Sequence, residues 1–132
     1  MVKVVSGFDD IKSEEIGPAI ILIDPQLGNN IGSAARAMLN CGLKDLRLVR
    51  PRDGWPNASA VKMASGATEV LNNTKVFDNT LDAVNDLNLV LATTARMRDL
   101  SKTVLTPKKA ADWLISHNAH GGWSGILFGP DR

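Results

Sequence analysis

Pro18-Ala19-Ile20-Ile21-Leu22-Ile23-Asp24-Pro25 leads within two residues into Gly28-Asn29-Asn30-Ile31-Gly32-Ser33-Ala34-Ala35-Arg36-Ala37-Met38-Leu39-Asn40-Cys41-Gly42, and the change of period between the two stretches decides the fold class. The first is a short, nearly unbroken apolar run between prolines, the pattern of a strand buried on both faces. In the second, Ile31, Ala34, Ala35, Met38 and Leu39 recur at helical spacing and predict one buried stripe. Asn30 is expected to cap that helix through its side-chain oxygen, and Gly42 suits a left-handed exit. Arg36 lies off the stripe and is expected to project sideways near the helix start, toward whatever sits above the strand ends.

The same alternation continues along the chain. Leu46-Arg47-Leu48-Val49-Arg50, stopped by Pro51, reads as a second buried strand. Ala60, Ala64 and Ala67 give a weaker helical pattern, and Val76-Phe77 a short strand. Thr80 is expected to cap a brief helix carrying Leu81, Val84 and Leu87. Asn88 to Thr93 is another buried strand. Thr106-Pro107 opens a helix expected to bury Ala110, Ala111, Leu114 and Ile115, because proline is tolerated in a first turn. Gly125 to Gly129 is a last strand. Strands alternating with helices predict an α/β fold with a mostly parallel sheet covered on both faces. Residues 1–16 read as an N-terminal extension with a short helix at most, and residues 17–132 as the folded domain. The sequence ends just past an apolar strand, so the domain is expected to be truncated at its C-terminus.

The chain has 132 residues, enough for one domain with a true core, and a formal net charge of +1. Near-neutral charge argues against a surface that is basic throughout, yet leaves room for a local basic patch. Cys41 is the single cysteine, which excludes an internal disulfide and a cysteine-based zinc site. The N-terminus has no signal-peptide pattern and no long apolar run follows, so a cytoplasmic protein without a membrane span is expected.

Ligands of open parallel sheets bind beyond the carboxyl ends of the strands. Three segments converge there in this reading: Gly28 to Arg36, Thr93 to Arg98, and Gly129 to Arg132. Each has an ordinary explanation. Asn30 can satisfy helix amides and nothing more, Arg36 can be a solvated arginine, and Arg96 and Arg98 can be loop charges. His117 and His120 lack acidic or cysteine companions, so a solvated helix end is expected and no metal. Trp55, Trp113 and Trp123 are too scattered to indicate a base-stacking platform. The phosphate-binding glycine-lysine loop, the dinucleotide fingerprint and the nucleophile elbow are all missing from the sequence.

Taken together, three motifs point further. Asn30-Ile31-Gly32-Ser33-Ala34-Ala35-Arg36 resembles the N-x-G-x-x-x-R motif that opens SpoU-type RNA ribose 2′-O-methyltransferases of the SPOUT superfamily. Thr93-Thr94-Ala95-Arg96 is similar to the T-S-A-R turn of the branch that acts on transfer RNA. Leu127-Phe128-Gly129-Pro130-Asp131-Arg132 resembles the family's second motif, with Asp131 where glutamate is usual. The resemblance covers Pro18 to the C-terminus. It implies a trefoil-knotted α/β fold, a knot incomplete in this chain because the third, Ser/Asn-rich motif is missing, and a homodimer whose active site draws on both subunits. It implies S-adenosylmethionine as cofactor, held by Thr93, Thr94, Ala95 and Gly129. Arg36 is implied as the catalytic arginine with Asn30 as its motif partner, and Arg36, Arg96, Arg98 and Arg132 as RNA contacts.

Transfer RNA, in its anticodon loop, is the expected substrate and ribosomal RNA the alternative. Without the third motif this chain alone is expected to bind the cofactor weakly and to be inactive. A competing reading is an RNA-binding or dimerising module of methyltransferase ancestry, in which Arg50, Arg52, Lys62, Arg96, Arg98 and Arg132 contact phosphate. A more distant one is a small-molecule α/β enzyme using the Gly28 turn for a nucleotide phosphate.

Overall fold

A computed structural model of the chain describes residues 2–7, 17–93 and 103–130. Among them, seven strands form one sheet in the order β4-β3-β2-β7-β5-β1-β6. Strands β2 (Ala19–Ile23), β3 (Leu46–Val49), β4 (Lys75–Phe77), β5 (Leu89–Thr93) and β7 (Ser124–Phe128) are mutually parallel. At one edge, β1 (Val2–Gly7) runs antiparallel both to β5 and to β6 (Val104–Leu105). The expected mostly parallel α/β sheet is therefore present.

Residues 2–7, read from the sequence as an extension, are a strand inside that sheet. Val2, Val4 and Val5 favour extended backbone, and pairing with β5, whose Leu89, Val90 and Leu91 are buried, outweighs the mixed local pattern. The two-residue β6, which no local signal marks, exists because β1 offers it an edge.

Strand register sorts the core into two faces. Ile20 pairs with Leu46 and with Ile126, and Ile126 with Leu91, so these side chains share one face. On that face lie α1 (Gly28–Asn40), α2 (Ala58–Ala64) and α3 (Thr68–Asn72), which contribute Ile31, Ala35, Met38, Ala60, Ala64 and Val70 to its core. Farther along the same face, α5 (Pro107–Ala119) buries Ala110 against Leu89, Leu91 and Leu105. The opposite face holds Ala19, Ile21, Val49, Val90 and Leu127, covered by Ala83 of α4 (Thr80–Val84) and by Leu87.

The buried stripe of α1 is rotated from the expected one. Gly28 and Gly32 face inward and Leu39 is exposed. The reason is α2: a Cβ on Gly32 would collide with the Ala60 carbonyl and lie 2.7 Å from Met63 Cβ. Backbones approach that closely only where side chains are missing, so the two glycines and not the leucine set the seam. Elsewhere, Asn79 rather than Thr80 caps α4, accepting from the Asp82 amide at 2.8 Å. Leu81 is 79% exposed, and Ala111 and Ile115 face outward while Ala110 and Leu114 pack inward.

One buried polar group organises the far end of the sheet. Arg47 on β3, with its side chain only 5% exposed, bonds bidentately to Asp45 at 2.8 and 3.1 Å and to Asp86 at 2.5 and 3.0 Å. It also donates to the Ala83 carbonyl at 2.8 Å, which ties β3 to α4. Burial pulls the guanidinium pKa down, and the bonds to the two carboxylates more than reverse that.

Candidate functional site

Because β2, β3, β4, β5 and β7 are parallel, their carboxyl ends line one edge of the sheet, and α1 starts from that edge. On the way into α1 the chain passes Asp24 and Pro25. Asp24 has φ +51 and Arg50, at the end of β3, has φ +50. Both are in the left-handed region that non-glycine residues rarely occupy. The Arg50 guanidinium grips the Asp24 carboxylate through Nε at 2.8 Å and Nη2 at 3.0 Å, and its Nη1 donates to the Asp78 carbonyl at 3.2 Å. The hydrogen bonds from Arg50 hold the Asp24 carboxyl below the usual carboxylate range, and Asp24 in turn raises Arg50. Three backbone bonds reinforce the link: Asp24 N–H to Val49 O, Arg50 N–H to Phe77 O, and Arg52 N–H to Pro25 O. Local sequence reading missed this pair, because its members are 26 positions apart and each looks like ordinary strand-end polarity.

Asn30 is the third residue of α1 and not its cap. Leu27 occupies the cap position without a side-chain bond, and the Asn30 amide donates to the Leu27 carbonyl at 3.0 Å. Asn30 is exposed at the rim end of the helix. Arg36 is the ninth of thirteen residues in α1, so it stands not near the helix start but about 12 Å along the axis from it. Its guanidinium is exposed, with no hydrogen bond or ion pair among the described residues.

Thr93 and Gly129 come together as expected, at the adjacent ends of β5 and β7, and the Thr93 hydroxyl donates to the Leu127 carbonyl at 3.3 Å. Among the described residues, a Cβ built on Gly129 meets nothing within 4 Å, so they leave the space beside that strand end open. Phe128 next to it is an exposed aromatic face. Thr94, Ala95, Arg96, Arg98 and Arg132 lie outside the described residues. Arg52 is paired with its neighbour Asp53, and Lys62 is exposed on α2.

The histidines do not behave alike. His120 is exposed, its Nδ1 against the Ser116 carbonyl. His117, expected to be solvated, is half-buried and bonds through Nε2 to Asn88 Oδ1, which also accepts from the Trp123 amide. This knot ties α5 to the starts of β5 and β7, at the end of the sheet opposite the rim. Among the described residues no group of three His, Cys, Asp or Glu side chains is placed to hold a metal, and no helix is long and apolar enough to cross a membrane. Trp55 and Trp123 pack against cores on opposite faces of the sheet, so the tryptophans build no common stacking surface.

Comparison with known proteins gives a consistent result. The pattern of the SpoU rRNA Methylase family matches residues 17–130. A tRNA (cytidine/uridine/adenosine-2′-O-)-methyltransferase TrmJ of Pseudomonas aeruginosa is 37% identical over 112 residues, 85% of this chain and 43% of that relative. A tRNA (cytidine-2′-O-)-methyltransferase TrmJ of Methanocaldococcus jannaschii is 36% identical, over 86% of this chain and 49% of that relative. The crystal structure of TrmJ from Z. mobilis ZM4 superposes with a TM-score of 0.81 at 58% identity, covering 89% of this chain and 51% of that one. The chain thus spans about half the length of the relatives it matches.

Proposed function

Because the chain belongs to the SpoU rRNA methylase family, we propose that the protein carrying it transfers a methyl group from S-adenosylmethionine to a ribose 2′-hydroxyl of transfer RNA, with Arg36 as the catalytic arginine. The observation that carries this reading is the exposed Arg36 guanidinium within the Asn30–Arg36 motif, which has no hydrogen bond or ion pair among the described residues. Arginines on protein surfaces commonly find carboxylates. One left without a carboxylate is available to a phosphate or a developing oxyanion.

The described residues fit one side of the methyl donor. Thr93 and Gly129 present adjacent strand ends, Gly129 leaves open space, and Phe128 offers an apolar surface to a nucleoside. Thr94 and Ala95 would extend that side. When bound, S-adenosylmethionine supplies the activated methyl group. The work of the protein is to hold the 2′-oxygen in line and to favour loss of its proton. Arginine stays protonated at any physiological pH, so Arg36 orients the RNA backbone and stabilises negative charge on the ribose oxygen, while phosphate or water takes the proton. Arg96, Arg98 and Arg132 are assigned to further phosphate contacts.

The position of Arg36 supports a two-subunit site. It is a helix body away from the Thr93–Gly129 rim of its own chain, so a second copy is the natural source of the arginine that reaches a given rim. A cytoplasmic homodimer acting on transfer RNA is the full reading, and ribosomal RNA is the second substrate to try.

The test is methyl transfer from labelled S-adenosylmethionine to bulk transfer RNA and to ribosomal RNA. Arg36→Ala is expected to lower the rate by about a hundredfold or more with unchanged thermal stability. Full activity of that variant removes Arg36 from the mechanism. RNA binding that weakens with salt but is accompanied by no transfer would favour the binding module.

A further inference from the structure

We propose that Asp24 and Arg50 form a positioning pair that fixes the β2–α1 loop, and with it the Asn30 turn, and that Arg50 is therefore not an RNA contact. The inference rests on the methyl-transfer reading of the rim and concerns residues that reading does not use.

The pair joins the carboxyl ends of three neighbouring strands: Asp24 follows β2, Arg50 follows β3, and the carbonyl that Arg50 reaches belongs to Asp78 after β4. Both residues adopt φ near +50, a conformation that residues with a side chain rarely occupy and that costs free energy above all for a long one such as arginine. Neither position is glycine. What those side chains provide is a planar two-point grip at 2.8 and 3.0 Å, which fixes direction as well as distance. Asp24 is followed at once by Pro25, whose φ is restricted, and the Pro25 carbonyl accepts from the Arg52 amide. Only Gln26 and Leu27 then separate this clamp from the first turn of α1. A change in the direction of Asp24 is thus transmitted through a short, stiff connection to Asn30. The same geometry uses all three nitrogens of the Arg50 guanidinium on protein acceptors, leaving its charge compensated and poorly suited to phosphate.

Two conservative variants separate positioning from RNA contact. Asp24→Asn keeps the size and tolerates positive φ, but weakens the grip and frees the Arg50 charge. Arg50→Lys keeps the charge and loses the two-point geometry. Each should lower kcat about tenfold or more while the RNA dissociation constant stays within about twofold, because misplacement of reacting groups acts on turnover. Hydrogen exchange at the amides of residues 26–31 should speed up by about tenfold, with the amides of β3 and β7 unchanged, and this readout needs no activity. Unchanged exchange in both variants overturns the proposal. So does tighter RNA binding in Asp24→Asn at full kcat, which would make Arg50 an RNA contact restrained by Asp24. If wild-type protein transfers no methyl group, the methyl-transfer reading fails, and the exchange data still decide whether the pair holds the loop.

Discussion

Gly32 shows how much one missing methyl group can decide. A Cβ at this position would run into the Ala60 carbonyl and Met63, so Gly32→Ala forces α1 away from α2. We expect a loss of about 1–3 kcal/mol in denaturant unfolding, the usual cost of overpacking. Gly129→Ala should leave stability unchanged, since a Cβ there meets none of the described residues within 4 Å. From the sequence both glycines belong to motifs and look alike. Their neighbours distinguish them, and those neighbours are 28 or more positions away in the case of Gly32. Arg36 is legible in part: its exposure follows from lying off the apolar stripe, whereas its distance from the rim depends on where α1 starts, and the helix begins two residues before Asn30.

At the scale of elements, β3 and α4 are joined by a salt-bridge network that a strand pattern cannot reveal. An arginine between leucines reads as an interruption, and it is tolerated because Asp45 and Asp86 meet it. Arg47→Ala leaves two carboxylates facing each other across a partly buried gap, and about 3 kcal/mol of destabilisation is expected by chemical denaturation. Arg47→Met should cost less, because it fills the volume. The network also sets an acid response. Burial pushes the Asp86 carboxyl up, but the hydrogen bonds and charge of Arg47 outweigh it and the folded pKa lies below the unfolded one. Its contribution is therefore complete above the ordinary aspartate value of 3.8 and is lost as pH falls through the folded value. Thermal melts between about pH 6 and pH 2 should show a shallower acid decline for Asp86→Asn than for wild type. Equal slopes would remove Asp86 from the acid response.

On the scale of the whole molecule, the sheet depends on a segment that looks dispensable. β1 lies between β5 and β6, so deleting residues 1–7 removes two ladders and strips β6 of its only partner among the described strands. A lower melting temperature and rapid exchange at Val104 and Leu105 are expected, and an unchanged melt would show that the fold needs only the parallel strands. The proposed dimer has its own test: sedimentation should give twice the chain mass.

Periodicity alone determined the α/β class, the parallel strands β2, β3, β5 and β7, and the helices α1 and α5, because burial on both faces and helical spacing are local properties that any short window carries. The ordered motifs around Asn30, Thr93 and Gly129 carried the family for the same reason. Tertiary structure decided the rest: the place of β1, the glycine seam between α1 and α2, the buried Arg47 network and the Asp24–Arg50 clamp. Each of these joins residues far apart in sequence, and its free energy exists only once the sheet has brought them within hydrogen-bonding or van der Waals distance.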